Sequence, residues 1–118
     1  DWSPAWAYRT GLRLVEEGTV PRAVFAASDH SALGLIRALS ESGIRVPEDV
    51  SVVGYDDVEG SEYFRPPLTT VRQDFTALAH ASFEVLLGAI EGREADRAPN
   101  MPLLIQRQSA VRADDTPR

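Results

Sequence analysis

The side chains best suited to ligand chemistry follow two predicted strands in the middle of the chain. Asp56 and Asp57 come after the β-favouring run Ser51–Val53, at the strand end where an open α/β sheet usually binds its ligand. Gln73 and Phe75 follow the next predicted strand, at the start of a long helix. Two strand ends can therefore present carboxylates, an amide and an aromatic ring to one crevice.

Such a set of groups can hold a small ligand that carries hydroxyl groups around an apolar face. A hydrogen bond from the ligand to an ionised carboxylate contributes about 1.5–3 kcal/mol to binding. An aromatic side chain as large as an indole, half-buried against the ligand, contributes about 2–3 kcal/mol. Micromolar binding corresponds to about 8 kcal/mol, so two or three such contacts reach it only in a cleft that is already shaped.

Each of these residues also has a purely structural interpretation. Asp56 and Asp57 could cap a loop or form a solvated pair, Gln73 could tie down a strand end, and Phe75 could be a hydrophobic staple. The paired carboxylates also fit a metal site or acid–base catalysis, but no third ligand stands at a recognisable spacing. No nucleophile–base pair and no GxxxxGK[ST] phosphate loop is present. The sequence therefore predicts a binding site without catalysis, metal or cofactor.

The composition excludes several classes of protein. The chain has 118 residues, enough for one domain, and no cysteine, which rules out disulfides, zinc–thiolate sites and thiol catalysis. Its formal net charge of −6 argues against phosphate binding, because non-specific affinity for nucleic acids depends on Lys and Arg. No apolar run approaches the roughly 20 residues that span a bilayer, and the first residues are not a signal peptide. An opening at Asp1, without Met, suggests a fragment or a processed chain.

Helix signals and apolar runs predict a parallel α/β arrangement around these residues. A helix begins at the Ser3–Pro4 cap, and an unbroken apolar run at 23–27 predicts a strand that is covered on both faces. Ser28 and Asp29 can each cap the next helix, and Asp29 is the predicted cap. Helices that alternate with strands through short connections are typical of parallel α/β domains.

The segment after Asp74 predicts a long helix that is too apolar for a single packing face. Asp74 caps this helix, which runs to about Glu91, and its apolar positions cover roughly 200° of the helical wheel. A second packing partner is therefore implied. Residues 101–106 predict a further strand, and Val111 is a candidate for a final short one.

Three sequence motifs together resemble the effector-binding core of LacI/GalR-type transcription regulators. They are Pro21–Gly34 (PRAVFAASDHSALG), Val46–Asp57 (VPEDVSVVGYDD) and Pro66–Phe75 (PPLTTVRQDF). The resemblance extends over roughly residues 1–112, and the motifs stand in the order found in the family. The opening DWS, the VVGYDD form and the RQDF ending are most similar to lactose-repressor-like members.

The resemblance implies a partial α/β fold of the periplasmic-binding-protein-like type I class, which has two lobes and parallel sheets. By this analogy residues 1–70 form most of the C-terminal lobe, and residues 71–101 form a crossover strand and helix of the N-terminal lobe. Residues 102–113 form a returning strand, and residues 114–118 are a frayed tail. The helix-turn-helix of the family is absent from this chain, so operator DNA would be bound only through that missing segment.

The resemblance also implies which residues contact the ligand. Trp2 corresponds to an aromatic residue that stacks on a sugar ring, and Asp56 to an acid that accepts hydrogen bonds from sugar hydroxyls. Gln73 and Phe75 correspond to the amide and ring of the crossover. Ser28 stands where lactose-repressor-like members usually have Asn, which leaves the identity of the ligand open because a hydroxyl reaches less far than an amide.

A second apolar patch suggests a homodimer. The predicted helix that contains Leu33 has a buried stripe of Ala32, Leu35, Ile36 and Leu39. Leu33 lies off this stripe, and Tyr63 and Phe64 follow on an irregular segment. In the family the corresponding positions lie at the interface between two effector-binding cores. The alternative is that Tyr63 and Phe64 fold back onto their own lobe.

The sequence thus predicts the effector-sensing, sugar-binding portion of a cytoplasmic LacI-type regulator that makes no contact with membranes. A mono- or disaccharide is expected to shift the population between two lobe arrangements and so to change operator affinity. Two alternatives stay open. One is an exported periplasmic-type sugar-binding protein, which shares the fold, and the other is an α/β enzyme that uses Asp56.

Overall fold

The computed structural model describes residues 1–94 and 100–115, in which three α-helices, four short strands and two turns of 3-10 helix are formed. Most of the predicted tail at 114–118 lies outside the described residues. The elements are α1 (Pro4–Glu16), β1 (Ala23–Phe25), α2 (Asp29–Glu41), β2 (Ser51–Val53), a 3-10 turn (Ser61–Tyr63), β3 (Thr70–Arg72), α3 (Phe75–Glu91), β4 (Leu103–Ile105) and a second 3-10 turn (Ala113–Asp115).

The strands form two pairs that are joined in the order β1–β2–β3–β4. β1 and β2 are parallel, whereas β3 and β4 are antiparallel. Two single parallel bridges, Val53 with Thr69 and Asp56 with Arg72, join β2 to β3. The parallel relation of the first three strands confirms the predicted α/β class. Residues that lie opposite each other are Val24 and Val52 in the first pair, and Val71 and Leu104 in the second.

The core lies between α2 and the sheet, and α1 packs on α2. Gly34 lets the two helices approach closely, since a Cβ atom there would stand 2.0 Å from the carbonyl oxygen of Pro4. The buried stripe of α2 is the one that the apolar spacing predicts. The buried apolar cluster consists of Ala26, Ala32, Leu35, Ile36, Leu39, Val50, Val52 and Leu68.

The prediction that β1 is covered on both faces is wrong. Val24 packs against the core, but Phe25 is 64% exposed and contacts the edge of the Tyr55 ring at a centroid distance of 6.2 Å. Neighbouring side chains of a strand point to opposite faces. α2 covers the face of Val24, and no described helix covers the face of Phe25.

α3 exposes most of the wide apolar face that its sequence predicts. Its cap is Asp74, whose carboxylate accepts a hydrogen bond from the N–H of Ala77, and Gly92 ends it in the left-handed conformation. Gly88 is its buried residue. The exposed apolar side chains are Phe75, Leu78, Phe83, Leu86 and Ile90. A packing partner beyond the described residues is therefore still required.

The possible final strand at Val111 is not formed. The N–H of Val111 donates to the Ser51 hydroxyl oxygen at 3.2 Å, which is a side-chain contact and not a ladder bond. The predicted strand at 101–106 is present as β4, although it is shorter than predicted.

Candidate ligand-binding site

The segments that carry the predicted ligand residues meet at one edge of the sheet. The N–H of Asp29, in the turn after β1, donates to the Tyr55 carbonyl at 2.9 Å. The N–H of Asp56, after β2, donates to the Val71 carbonyl in β3 at 2.9 Å. Because β1, β2 and β3 run parallel, their carboxyl ends lie together. Ligands of open α/β sheets bind at this edge.

A groove with about 540 Å³ of space lies at this edge and contains three of the predicted ligand residues. Asp56 and Gln73 are half-buried in its wall, while Phe75 at the start of α3 is 57% exposed. These residues offer a carboxylate acceptor, an amide with donors and an acceptor, and the face of an aromatic ring. The full lining consists of Asp56, Asp57, Val58, Glu59, Arg72, Gln73 and Phe75.

A second groove, of about 570 Å³, runs along α3 and has a different character. Its lining residues are Phe75, Thr76, Ala79, His80 and Phe83, all of which belong to one helix. Its lining contains no carboxylate, and it forms part of the exposed apolar face of α3. The groove with the strand-end residues is therefore the better candidate for a polar ligand.

Trp2 lies outside the lining of the strand-end groove but at the same edge of the sheet. Its carbonyl oxygen accepts a hydrogen bond from the Ser31 hydroxyl at 3.3 Å, in the first turn of α2. Its side chain is 68% exposed. Asp29, in the same turn of α2 as Ser31, donates its backbone N–H to the carbonyl of Tyr55. The first turn of α2 therefore connects the segment before α1 to the end of β2.

Ser28 is the N-cap of α2. Its hydroxyl oxygen accepts a hydrogen bond from the N–H of Ser31 at 3.1 Å and its hydroxyl donates to the Ser31 hydroxyl at 3.0 Å. Its side chain is buried, and the groove lining does not include it. The prediction that Asp29 is the cap is wrong, because Asp29 is the first helical residue and its carboxylate points elsewhere.

The carboxylate of Asp29 is fully buried and receives three hydrogen bonds. One oxygen accepts from the N–H of Val58 and from the hydroxyl of Ser61, and the other accepts from the hydroxyl of Thr70. A Cβ atom on Gly54 would stand 2.3 Å from this carboxylate, so a glycine is needed there. Asp29 therefore fixes the loop that follows Asp56 and Asp57. Sequence reasoning missed this role, because the donors stand 29, 32 and 41 residues further along the chain.

Asp57 forms ion pairs with two arginines, which excludes the solvated-pair interpretation for this residue. Its carboxylate accepts hydrogen bonds from Arg72 Nε at 2.6 Å and from Arg107 Nη1 at 2.8 Å, and its side chain is 7% exposed. Burial alone would raise the pKa of Asp57, but the hydrogen bonds from Arg107 and Arg72 lower it below its ordinary value. The carboxylate is therefore ionised at neutral pH.

Asp56 and Asp57 both have positive φ angles, of 110° and 54°. Residues with a Cβ atom disfavour this region, although Asp and Asn tolerate it better than most. Such a backbone persists when surrounding contacts hold it in place. Here those contacts are the bond from Asp56 to Val71 and the two arginines on Asp57.

The residues of the predicted dimer patch differ in their exposure. Leu33 on α2 is 40% exposed and Tyr63 is 81% exposed. Phe64 is half-buried and packs against the core cluster. Leu33 and Tyr63 are thus accessible, while part of the Phe64 side chain is covered by the core cluster.

Within 1–94 and 100–115, no group of three or more His, Cys, Asp or Glu side chains is arranged to hold a metal ion. The helices in that part of the chain are too short or too polar to cross a bilayer.

Comparison with known proteins identifies relatives over almost the whole chain. A family model of the periplasmic binding protein-like domain matches residues 2–110. The lactose operon repressor of Escherichia coli (strain K12) is 40% identical over 116 residues, which make up 98% of this chain and 32% of that protein. The transcriptional repressor PurR of Erwinia tasmaniensis is 40% identical over 113 residues, which make up 94% of this chain and 33% of the relative. The chain thus spans about a third of the length of these curated relatives.

Solved structures of such regulators have the same fold. The lac repressor dimer bound to operator and the anti-inducer ONPF has a TM-score of 0.87 and 40% identity, and the match covers 95% of this chain and 40% of that chain. The complex of the transcriptional regulator CelR with cellobiose has a TM-score of 0.81 and 36% identity, covering 92% and 34%. A LacI family regulator from Lactobacillus casei with bound sucrose has a TM-score of 0.78 and 32% identity, covering 92% and 41%.

These relatives are transcriptional repressors and regulators rather than enzymes. The resemblance that the three sequence motifs indicate is therefore confirmed, and the chain belongs to the periplasmic binding protein-like domain family, in the form found in the effector-binding cores of LacI-type regulators.

Proposed function

We propose that the chain is the sugar-binding, effector-sensing portion of a LacI-type DNA-binding regulator. The observation that carries this proposal is the groove in which Asp56, Gln73 and Phe75 meet at the carboxyl ends of the strands. The similar regulators with bound cellobiose and sucrose support it, since both of their ligands are disaccharides. The ligand class that we propose is accordingly a mono- or disaccharide.

Each groove residue has a distinct role in this proposal. The carboxylate of Asp56 accepts hydrogen bonds from sugar hydroxyls, and the amide of Gln73 both donates and accepts. Phe75 packs against the apolar face of the sugar ring, and Trp2 provides a second aromatic surface from the start of α1. The Ser28 hydroxyl can only accept one further hydrogen bond from the ligand, because it already donates to the Ser31 hydroxyl and accepts from the Ser31 N–H.

The charge of the groove favours a neutral ligand over an anion. Three carboxylates, those of Asp56, Asp57 and Glu59, line it together with one arginine, Arg72. Asp57 with its two arginines carries a net charge of +1, and the carboxylates of Asp56 and Glu59 outweigh it, so the wall stays negative. An anionic ligand would be repelled at this wall, whereas hydroxyl groups can donate to the carboxylates.

The mechanism that we propose is a shift between two lobe arrangements. Residues 1–70 would belong to one lobe, residues 71–101 would cross to the other and residues 102–113 would return. A sugar that bridges both lobes favours the arrangement to which it binds more tightly. The spacing of two DNA-binding heads changes with the lobe angle, and operator affinity changes with that spacing. A helix-turn-helix outside this chain would make the operator contact, in the cytoplasm where the DNA is.

The proposed mechanism requires a homodimer, because two DNA-binding domains bind the two half-sites of an operator. Leu33 and Tyr63 would form the centre of the contact, with the exposed part of Phe64 at its side. Exposed aromatic and aliphatic side chains of this kind are typical of interfaces.

The proposal is tested with the full-length protein, by following operator binding while sucrose, cellobiose or lactose is added. We expect one of these sugars to change operator affinity with a saturable dose dependence. An exported sugar-binding protein would bind the sugar but not DNA. A protein that binds DNA but responds to none of the sugars would refute the sugar-sensing function.

A further inference from the structure

We infer that Asp57 is a positioning residue that holds Asp56 in the groove and ties it to β3 and β4. Together with Arg72 and Arg107 it forms a unit that we call the Asp57 clamp. The inference rests on the proposed function, in which Asp56 contacts the sugar and the strands β3 and β4 connect the lobes. It extends that function by giving the neighbouring carboxylate a task of its own.

The geometry of the Asp57 clamp joins three separate segments of the chain. One carboxylate oxygen of Asp57 accepts from Arg72 Nε in β3, and the other accepts from Arg107 Nη1, two residues after β4. The same Nη1 group donates to the Leu68 carbonyl at 2.9 Å, and the N–H of Arg107 donates to the Thr69 hydroxyl at 2.9 Å. The loop after β2 is thereby tied to the beginning and end of β3 and to the segment after β4.

The two arginines of the clamp differ in their exposure. The side chain of Arg107 is 15% exposed, while that of Arg72 is 53% exposed and lines the groove beside Asp56. Arg107 is therefore the fixed anchor of Asp57. Arg72 is the partner that a ligand in the groove can contact, and its ion pair with Asp57 is the one that a movement of β3 would break first.

The backbone explains why Asp56 needs such support. Asp56 and Asp57 have consecutive positive φ angles, a conformation that side chains with a Cβ atom disfavour. The side chain of Asp57 is held on both of its oxygens, so the peptide between the two residues cannot rotate without breaking an ion pair. The N–H of Asp56 then stays bonded to the Val71 carbonyl, and its carboxylate stays in the groove wall.

An amide cannot replace the carboxylate in this arrangement. The carboxylate offers an acceptor to each arginine, whereas Asn offers one oxygen and one NH₂ group. In Asp57→Asn the NH₂ group would face a guanidinium, which has donors but no acceptor. We therefore expect one side of the clamp to open while the fold is kept.

The first test follows the Asp56 amide by hydrogen exchange in the full-length protein without any ligand. In Asp57→Asn the Asp56 N–H should exchange at least tenfold faster, while the Gly54 N–H, which donates to Thr69 in the same pair of strands, should keep its rate. Asp49→Asn is the matched control, since Asp49 is also paired with an arginine, Arg45, on the surface. An unchanged Asp56 rate, or equal acceleration at Gly54, would overturn the inference. Arg72→Gln, which removes the exposed partner, serves if Asp57→Asn does not fold.

The second test measures the dissociation constants of sucrose and cellobiose by calorimetry. Asp57→Asn and Arg72→Gln should each weaken binding about tenfold or more, and the double variant should bind no worse than the weaker single variant, because all three open the same clamp. A wild-type affinity in Asp57→Asn, or losses that multiply in the double variant, would contradict the inference. If sucrose, cellobiose and lactose all fail to bind the wild-type protein, the proposed sugar function fails, and the exchange rate of Asp56 still decides the role of the clamp.

Discussion

The hydroxyl of Thr70 donates a hydrogen bond to the buried carboxylate of Asp29 at 2.5 Å, which joins the first residue of α2 directly to β3. The same carboxylate accepts from Ser61 and from the N–H of Val58, in the loop that follows the predicted ligand residue Asp56. Two strand ends and one loop of the candidate site are thus organised around a side chain that does not line the groove.

Asp29→Ala should lower the free energy of unfolding by about 3 kcal/mol, because it leaves the Thr70 hydroxyl and the Val58 N–H without this acceptor at about 1–3 kcal/mol each, while Ser61 can still donate to the Val58 carbonyl. Urea denaturation of the full-length protein measures this loss. Asp49→Ala is the control, since Asp49 is paired on the surface, and its loss should be clearly smaller. Equal losses in the two variants would contradict the central place of Asp29.

Gly54→Ala should also destabilise the protein, because its Cβ atom would stand 2.3 Å from the Asp29 carboxylate and 2.8 Å from Leu68. We expect a loss of about 3 kcal/mol, at the upper end of overpacking costs. Gly43→Ala is the control: no atom lies within 4 Å of its added Cβ, and its cost comes only from a positive φ of 73°. Its loss should be about 1 kcal/mol, from the backbone alone. The account is wrong if Gly43→Ala is the more damaging of the two in thermal or urea unfolding.

The ion pairs of Asp57 predict a dependence of stability on acid pH. Its pKa is lowered in the folded protein, because the hydrogen bonds from Arg107 and Arg72 outweigh the effect of burial. A carboxylate with a lowered pKa adds stability that is complete above its unfolded pKa of about 3.9 and is lost as the pH falls through the folded pKa. The stability difference between the wild type and Asp57→Asn should therefore be constant near neutral pH and shrink below about pH 4. A difference that grows on acidification would have the wrong sign.

The dimer proposal predicts that Leu33→Glu yields a monomer, because a charge in the centre of an apolar contact is costly to bury. Sedimentation of the full-length protein measures the oligomeric state. Leu12→Glu is a matched control, since Leu12 is 37% exposed on α1 and Leu33 is 40% exposed on α2. If Leu33→Glu remains as dimeric as Leu12→Glu, the interface lies elsewhere.

Local signals in the sequence predicted the helices well. The Ser3–Pro4 start, the Asp74 cap and the end of the long helix near Glu91 all depend on residues within one turn of the helix, and the structure has all three. The apolar spacing of α2 likewise predicted its buried face. The alternation of helices and apolar runs predicted parallel strands, and β1, β2 and β3 are parallel in the structure.

Long-range contacts could not be predicted in the same way. An apolar run such as 23–27 looks the same whether one or both faces are covered, since the cover comes from other segments. The sequence pairs Asp57 only with the adjacent Asp56. Its ion pair with Arg107, 50 residues further along the chain, is visible only in the structure. A groove that brought Asp56, Gln73 and Phe75 together was predicted, whereas Trp2 and Ser28 lie at the same edge but outside its lining.

The central claim is that Asp56 binds a sugar, and the affinity of the full-length Asp56→Asn variant for sucrose or cellobiose tests it most directly. Asn suits this substitution because it tolerates the positive φ of Asp56 and keeps its size, while it removes the charge and one of the two acceptor oxygens. Loss of a hydrogen bond to a charged group, about 1.5–3 kcal/mol, predicts binding that is at least tenfold weaker by calorimetry, while the Asp49→Asn control binds as the wild type does. Wild-type affinity in Asp56→Asn would remove Asp56 from the site and contradict the account.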